Sequence, residues 1–350
     1  MASRPEFDKT TSATEVAAAF GPQIKGKTVV VTGVSPGSIG SATALAIASQ
    51  APAHLILASR TESKLAAVVS DIAAKYPSAP VKSVMLDLAS LDSIKSAAAE
   101  INAQVDHIDV LVNNAGINTA SRKPVTTPGG TTVDLQFFVN HVGTFLLTSL
   151  LLPKITEAGK KARRGAPRVV NLASHGHRLS PIRFSDYAIE KGPFDVPDAE
   201  KPPANAPEHF LELNEEGYSG FIGYGQSKTA NLLHAMELDR RLKEGGANVR
   251  AVAVHPGTII TELSRDLSPA GEKAVYGTAP GGFFKSLDQG AATTIVGAFD
   301  PKLGEAEVEG PLYLDDCQYN TERLAPCGSD PVAAERLWAE TEKMLGISCL

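Results

Sequence analysis

The chain has 350 residues, of which 43 % are hydrophobic and 21 % are charged, so it can bury one large core and has the composition of a soluble globular protein. Its formal net charge of −6 at pH 7 provides no basic surface, which argues against nucleic acid and anionic membranes as partners. The three cysteines are odd in number and lack metal-ligand spacing, a pattern typical of a reducing compartment.

Apolar runs rich in β-branched residues alternate with longer amphipathic stretches along the chain. The predicted strands cover residues 28–32, 54–58, 81–86, 110–113, 168–172 and 249–254, with a weaker one over 311–314. Parallel strands need crossover connections that place helices on both faces, so this alternation predicts an α/β fold of the Rossmann type with a doubly wound, mostly parallel seven-stranded sheet. We expect a single domain over residues 25–350 after an N-terminal extension over residues 1–24.

A glycine-rich turn follows the first predicted strand. Gly33 permits a tight turn, Gly37 lets the backbone approach a ligand, and Gly40 lets the next helix pack closely on the strand. Backbone N–H groups at such a helix start bind diphosphate, so this segment predicts half of a nucleotide site. A plain strand-to-helix turn with three glycines is the alternative, and other parts of a site are needed to exclude it.

Basic residues follow the second predicted strand. An NAD-selective site is expected to place Asp or Glu here against the ribose 2′-hydroxyl, whereas this chain has Ser59 and Arg60, with Lys64 one helical turn later. A guanidinium favours a 2′-phosphate, so we predict NADP rather than NAD as cofactor. A solvated arginine at a helix start is the alternative.

Two segments interrupt the alternation, at about residues 175–220 and 264–286. Both contain proline and glycine and are long for connections in a compact α/β domain. They also contain many large apolar residues, including Phe184, Phe210 and Phe284. We therefore predict that these two insertions form lids over a bulky, poorly water-soluble substrate.

Two tyrosines are each followed by a lysine four positions later, a spacing that places both side chains on one face of a helix. The pKa of a phenol is about 10, and a neighbouring ammonium favours phenolate and lowers that pKa, which prepares the phenol for proton exchange with a substrate oxygen. Tyr187 and Lys191 lie in the first insertion, where the following Gly-Pro stops a helix. Tyr224 and Lys228 lie in a sustained helical pattern, so we select Tyr224.

In their order along the chain, these motifs resemble those of the short-chain dehydrogenase/reductase family over about residues 25–345. They are most similar to its retinol dehydrogenase and WW-domain-containing oxidoreductase branch, without the pattern of a WW domain. The resemblance depends on residues 32–40, 87–88, 113–116, 140–143, Ser174, 224–233, 256–261, 288–293 and 336–338. One departure is the glycine loop, which is one residue longer than in the family and contains Pro36, which has no N–H.

The resemblance implies a role for each matching residue. Tyr224 is expected to act as general acid and Ser174 to hydrogen-bond the substrate oxygen. Asn140 is expected to hold a water that links Lys228 to solvent. A helix-interior hydrogen bond for Asn140 and a plain turn for Ser174 are the alternatives. The expected cofactor contacts are Gly33, Ser35, Gly37, Ser38, Ile39, Gly40, Ser59, Arg60, Lys64, Asp87, Leu88, Asn114, Ala115, Gly116, Tyr224, Lys228, Pro256, Gly257, Ile259 and Thr261.

Two histidines adjoin the predicted catalytic serine. His175 and His177 next to Ser174 suggest a hydrolase, but the sequence around Ser174 is not the G-x-S-x-G elbow of that class. No cysteine or carboxylate cluster accompanies the histidines in the sequence, so we predict no metal site.

We therefore predict an enzyme, an NADP(H)-dependent oxidoreductase that reduces a ketone or aldehyde on a bulky hydrophobic metabolite. A redox-neutral or non-redox reaction, such as cyclisation or isomerisation, and an NADP-sensing scaffold with little turnover stay open as alternatives. The longest apolar run, residues 142–152, is too short to span a bilayer, so we predict no transmembrane segment and a cytoplasmic location. Kinship suggests a homodimer that pairs through the helices near Asn140 and Tyr224.

Overall fold

The computed structural model describes residues 2–308 and 310–349. Its strands are β1 (Thr28–Thr32), β2 (His54–Ser59), β3 (Val81–Met85), β4 (Val110–Asn113), β5 (Pro124–Thr126), β6 (Thr132–Asp134), β7 (Arg168–Leu172), β8 (Arg250–His255), β9 (Tyr313–Asp315) and β10 (Gln318–Tyr319). Its α-helices are α1 (Ala13–Ala19), α2 (Gly21–Ile24), α3 (Ile39–Ala48), α4 (Glu62–Lys75), α5 (Leu91–Gln104), α6 (Leu135–Phe137), α7 (Thr144–Gly159), α8 (Gly220–Glu244), α9 (Pro269–Gly277), α10 (Leu287–Phe299), α11 (Pro301–Gly304) and α12 (Pro331–Leu345). A π-helical turn, Phe138–Gly143, joins α6 to α7.

Eight strands form one sheet in the order β10-β9-β8-β7-β4-β1-β2-β3, and β5 and β6 form a separate antiparallel hairpin. Every neighbouring pair from β3 to β9 is parallel, which confirms the predicted doubly wound α/β fold. The predicted count of seven strands is one too few, because β10 pairs antiparallel with β9 at the sheet edge. A strand of two residues is too short for a periodic pattern to reveal.

Both faces of the sheet are buried, which explains the nearly unbroken apolar runs of its strands. In β1, Val29 and Val31 belong to the core on one face, whereas Val30 belongs to the core on the other. The carboxyl ends of β1 and β4 are joined, because the N–H groups of Asn114 and Ala115 both donate to Thr32 Oγ1 at 3.1 Å. The strand order reverses between these two strands, so a crevice for a ligand is expected above them.

The segment Leu135–Gly159 is one helix of 25 residues, and among the described residues it is the one span long and apolar enough to cross a membrane. Its most apolar part has a mean hydropathy of 1.5 and is 83 % buried inside the protein, as expected for a core helix. The apolar run over residues 142–152, from which no transmembrane segment was predicted, is only part of this helix. Asn140 and His141 interrupt the apolar run but are buried inside the fold.

The first insertion packs against the C-terminal helix. Tyr187 Oη donates to Glu340 at 2.6 Å, and the Arg336 guanidinium lies 3.9 Å from the centroid of the Phe184 ring. In the second insertion, α9 contacts the turn Glu208–Phe210 of the first. The two insertions therefore meet, as lids over a single site would, and the lid role itself stays a prediction.

Helix α12 also packs against α8. Trp338 is 3 % exposed, and its ring lies 4.7 Å from that of Phe145 and 4.7 Å from the Arg241 guanidinium. The chain's own C-terminal helix therefore covers part of the helices expected to pair in a homodimer, and the homodimer stays a prediction. The domain limits also stay a prediction, although α1 of the extension packs on α3 and α10.

Candidate active site

A cleft of about 340 Å³ lies above the carboxyl ends of the central strands. Most of the predicted cofactor residues line it, namely Gly33, Ser35, Ser38, Ile39, Ser59, Arg60, Lys64, Asp87, Leu88, Asn114, Ala115, Gly116, Tyr224, Lys228, Pro256 and Thr261. Among the described residues, the cleft lining does not include the predicted Gly37, Gly40, Gly257 and Ile259. Ile259 instead directs its side chain against Gly290 of α10.

The glycine loop forms a close cradle at the floor of the cleft. Gly33 has a φ of 71°, and a Cβ atom there would lie 2.5 Å from the Cα of Ala115, so a larger residue does not fit. At Gly40, a Cβ atom would lie 2.6 Å from Asn114 Nδ2, which is the close helix packing that the sequence predicts. Gly33 thus leaves backbone where a ligand can approach.

The extra loop residue is accommodated by a turn between two serines. Ser38 Oγ donates to the carbonyl oxygen of Ser35 at 2.7 Å and accepts from the Ser35 N–H at 3.2 Å. Ser38 also caps α3, because its Oγ accepts from the Ser41 N–H at 3.1 Å. The loop therefore uses the N–H groups of Ser35 and Ser41 for its own structure.

The basic residues after β2 lie at one side of the cleft, and Arg60 is exposed there. Lys64 Nζ donates to Glu262 Oε2 at 2.6 Å, which bridges the first turn of α4 to the loop after β8. Both side chains are about half exposed, so the pair contributes little to stability. Glu262 is a cleft residue that the sequence analysis missed.

On the β7 side of the cleft, Tyr224 of α8 lies beside Ser174. A Cβ atom at Gly176 would lie 2.9 Å from the edge of the Tyr224 ring and 3.5 Å from Ser174 Oγ, so both side chains adjoin Gly176. Lys228, one turn later on α8, is 4 % exposed, and its Nζ donates to the carbonyl oxygen of Leu172 at 2.9 Å. That Nζ lies 5.6 Å from the centroid of the Tyr224 ring.

Asn140 lies in the π-helical turn, a type of irregularity that is frequent at functional sites. Its Oδ1 accepts from the Ile117 N–H at 2.8 Å, and its Nδ2 donates to the carbonyl oxygen of Ile117 at 3.0 Å and to Ser227 Oγ at 2.9 Å. A Cβ atom at Gly116 would lie 3.3 Å from Asn140 Oδ1 and 3.4 Å from Lys228 Nζ. Asn140 and Lys228 are therefore close neighbours, and the bridging water stays a prediction.

Burial controls the pKa values of the tyrosine and the lysine. Desolvation raises the pKa of Tyr224 to about 12, and the Ser174 hydroxyl opposes this shift. The tyrosine is only partly buried, because one edge of its side chain faces the cleft. Desolvation also lowers the pKa of Lys228 to about 8. Burial is the largest influence on the pKa of Tyr224 in this structure, and the expectation that Lys228 lowers that pKa stays a prediction.

The competing tyrosine, Tyr187, lies away from the cleft. Residues 187–191 form turns rather than a helix, and Lys191 Nζ donates to the carbonyl oxygen of Ser185. Burial and the Glu340 carboxylate raise the pKa of Tyr187 well above its usual range. The structure therefore brings Tyr224, and not Tyr187, to Ser174 and Lys228.

Replacing Tyr187 with phenylalanine is expected to lower the free energy of unfolding by about 1.5 kcal/mol, because a buried hydrogen bond to a carboxylate is lost. Urea unfolding at pH 7.5 measures the change. The double variant Tyr187→Phe, Glu340→Gln should lose less stability than the sum of the two single losses, because both changes remove the same contact. Fully additive losses would contradict this account.

Several residues that line the cleft escaped the sequence analysis, and most of them adjoin a predicted residue in the chain. They are Thr61, Leu86, Ile117, Val139, Leu172, Ala173, Glu262, Leu263 and Arg265. Apolar residues at strand ends could have been inferred from their neighbours. Glu262 and Arg265 carry no local signal, because they belong to an irregular loop.

Behind Ser174, the fold assembles a histidine and aspartate cluster that the sequence did not reveal. Potential ligand atoms of His175, His255 and Asp315 lie within 4.8 Å of one another. Asp315 Oδ2 pairs with His175 Nε2 at 3.1 Å and also with Arg323 at 2.9 Å. These contacts hold the pKa of Asp315 well below its usual range despite its burial. Asp315 is a carboxylate near the histidines that the sequence did not reveal, and the expected absence of a metal site stays a prediction.

Comparison with known proteins adds independent findings. Residues 27–193 match the model of a family described as short chain dehydrogenase. Oxidoreductase fscI of Fusarium equiseti is 37 % identical over 72 % of this chain and 94 % of its own length. Retinol dehydrogenase 13 of Homo sapiens is 35 % identical over 93 % of this chain and 86 % of its own length. An uncharacterized protein of Mycobacterium paratuberculosis has a TM-score of 0.63 at 27 % identity, with 93 % of this chain and 96 % of that chain covered. Pseudomonas aeruginosa RhlG in complex with NADP is similar in fold alone, with 20 % identity and a TM-score of 0.55. The match covers 79 % of this chain and 90 % of that chain.

Proposed function

The chain belongs to the short-chain dehydrogenase/reductase family, in its retinol dehydrogenase branch, and is an NAD(P)-dependent oxidoreductase; on that premise we propose that it uses NADPH to reduce a ketone or aldehyde on a bulky hydrophobic metabolite. The observation that carries this proposal is the position of Tyr224 and Lys228, with Ser174 beside the tyrosine, at one cleft whose other side has Arg60. A cytoplasmic location is part of the proposal.

The residues of the cleft fit a nicotinamide dinucleotide. Gly33, Ser35 and Ser38 line the cleft at the start of α3, where backbone N–H groups support a diphosphate. Arg60 and Lys64 would hold a 2′-phosphate, and Thr261 with Pro256 would border the nicotinamide. When bound, NADPH supplies the hydride for the carbonyl carbon.

The proton comes from the protein. With a pKa near 12, Tyr224 is protonated at neutral pH and can donate to the substrate oxygen as negative charge develops there. Ser174, which lies beside the phenol, would orient the same oxygen. Lys228 would bind the cofactor ribose and, when charged, stabilise the phenolate left by proton transfer. A raised pKa keeps the phenol protonated at neutral pH, which is the form that carbonyl reduction requires.

Apolar residues near the cleft support a hydrophobic substrate. Ile117, Val139 and Leu263 line the cleft, and Ile260 and Phe284 are 59 % and 37 % exposed in the loops that follow β8. Retinol dehydrogenase 13 has a retinoid in its name, so retinoids are one substrate class to test. Terpenoids, steroids and aromatic polyketides are others.

Reductive kcat/KM is expected to be level from pH 6 to about 7.5 and to fall as the pH rises through about 8. Lys228 loses its proton in that range because burial lowers its pKa, whereas Tyr224 stays protonated. A pH–rate profile measures this, with Lys191→Met as the control that should leave its shape unchanged. A rate that rises across pH 8 would contradict the assignment.

Incubation with NADPH and candidate carbonyl compounds, followed by nicotinamide absorbance and product analysis, tests the proposal. Consumption of NADPH with formation of the alcohol is expected. Product without net consumption of NADPH would indicate a redox-neutral reaction instead. Tight NADP binding without turnover of any substrate would indicate a sensor.

A further inference from the structure

The loop after β4 is bound by two buried amide side chains of one helical segment. Gly116 and Ile117 of this loop line the cofactor cleft, and Asn140 hydrogen-bonds both the N–H and the carbonyl oxygen of Ile117. Gln136 lies four positions earlier, about one helical turn. Its Oε1 accepts from the Thr119 N–H at 3.1 Å, and its Nε2 lies 3.4 Å from the carbonyl oxygen of Thr119. Each amide therefore contacts both backbone polar groups of one loop residue.

The same two amides also contact α8, before and after the proposed general acid. Asn140 Nδ2 donates to Ser227 Oγ at 2.9 Å, and that hydroxyl donates to the carbonyl oxygen of Tyr224 at 2.8 Å. Gln136 Nε2 donates to the carbonyl oxygen of Gly220, the first residue of α8, at 3.0 Å. Tyr224 therefore lies between two points at which α8 is joined to the loop after β4.

A buried tyrosine completes the contacts of Gln136. Gln136 Nε2 donates to Tyr218 Oη at 2.6 Å, and Tyr218 Oη donates to Asp134 Oδ1 at 3.1 Å. Asp134 Oδ2 accepts from the Gln136 N–H at 2.9 Å and so caps α6. All three side chains are at most 1 % exposed. Because a buried polar group that loses its partner is costly, this network holds its members in one arrangement.

Two glycines let the first turn of α8 pack closely on these groups. A Cβ atom at Gly220 would lie 2.5 Å from the carbonyl oxygen of Thr119. A Cβ atom at Gly223, the residue before Tyr224, would lie 2.8 Å from Tyr218 Oη. The backbone that carries Tyr224 is thus in direct contact with the loop and with the buried network, so a change in the network displaces that backbone.

From these contacts we propose that Gln136 is a positioning residue for the reaction in the cofactor cleft. It fixes the start of α8 against the loop after β4 and thereby sets the location of the Tyr224 phenol. This inference rests on the proposed function, because the location of the phenol affects the rate only if Tyr224 donates the proton. Misplacement of a catalytic group by about 1 Å can lower a rate about 10²-fold, so a small shift of α8 is expected to be visible in kcat.

Gln136→Met tests the proposal, because methionine is similar in length and has no amide. We expect kcat for carbonyl reduction to fall about 30-fold through misplacement of the phenol. The Kd for NADPH should change little, because Gln136 does not line the cleft that would hold the cofactor. A purely structural role would instead lower stability and leave kcat of the folded enzyme unchanged, and that result would overturn the proposal.

Asn248→Leu is the matched control. The Asn248 amide also binds both kinds of backbone group, accepting from the Gly165 N–H at 2.6 Å and donating to the carbonyl oxygen of Gly159 at 2.9 Å. It precedes β8 and so lies at the amino ends of the strands, away from the cleft. This variant should be less stable and should keep its kcat. An equal loss of kcat in both variants would assign the effect of Gln136→Met to general destabilisation and overturn the proposal.

A spectroscopic measurement separates this inference from the proposed function. The chain has seven tyrosines, and fluorine NMR of protein labelled with 3-fluorotyrosine reports on each, with the Tyr224 resonance identified from Tyr224→Phe. Gln136→Met is expected to shift the Tyr224 resonance, and Asn248→Leu to leave it in place. An unshifted Tyr224 resonance would overturn the inference whether or not the enzyme is active. Failure of the unchanged protein to reduce any carbonyl compound would count against the proposed function alone.

If Gln136→Met does not fold, Tyr218→Phe serves in its place. It removes one acceptor of the Gln136 amide and keeps the amide and the aromatic ring. A lower kcat together with a shifted Tyr224 resonance supports the proposal. Unchanged kcat and an unshifted resonance would overturn it.

Discussion

Replacing Tyr224 with phenylalanine is expected to lower kcat for carbonyl reduction by about 10³-fold, the range that general acid catalysis contributes. The change removes one oxygen, the atom proposed to donate the proton to the substrate. The ring that packs on Gly176 is kept, so the fold and the binding of NADPH should be unchanged. Steady-state kinetics and fluorescence titration of NADPH measure the two effects.

Tyr187→Phe is the matched control for this experiment. It removes the same atom from a tyrosine that also precedes a lysine by four positions but lies away from the cleft. Its kcat should stay within about twofold of that of the unchanged protein, while its stability falls. If Tyr187→Phe were inactive and Tyr224→Phe active, catalysis would have to be reassigned to the first insertion.

Arg60→Gln is expected to weaken NADPH binding by about 30-fold and NADH binding by less than threefold. The guanidinium would make charge-assisted hydrogen bonds to the 2′-phosphate, and each such interaction contributes about 1.5 to 3 kcal/mol. NADH has no phosphate at that position, so the loss should be specific. Parallel titrations of both dinucleotides with the variant measure the ratio.

Arg265→Gln is the control for the Arg60 assignment, because Arg265 also lines the cleft and carries the same charge. A larger loss of NADPH affinity in Arg265→Gln than in Arg60→Gln would move the phosphate to the loop after β8. Equal affinity of the unchanged protein for NADPH and NADH would contradict the predicted preference for NADP. Either outcome would leave the catalytic assignment of Tyr224 standing.

Patterns in the sequence were sufficient to predict the fold and many of the residues that line the cleft. Alternating apolar runs predicted the parallel strands, because a strand buried on both faces must be apolar throughout. The resemblance to the family assigned residues after Thr32, Ser59 and Asn113 to one cofactor site, and such residues line one cleft in the structure. The choice of Tyr224 over Tyr187 also followed from local signals, since Gly-Pro after Lys191 prevents a helix.

Contacts between residues far apart in the chain were decided only by the tertiary structure. The approach of Asp315 to His175 and the ion pair of Lys64 with Glu262 both depend on how loops and strand ends pack. The pKa values of Tyr224 and Lys228 belong to the same class, because desolvation depends on everything that surrounds a group. A sequence specifies periodicity over a few residues directly, whereas burial and long-range pairing arise only when the whole chain is packed.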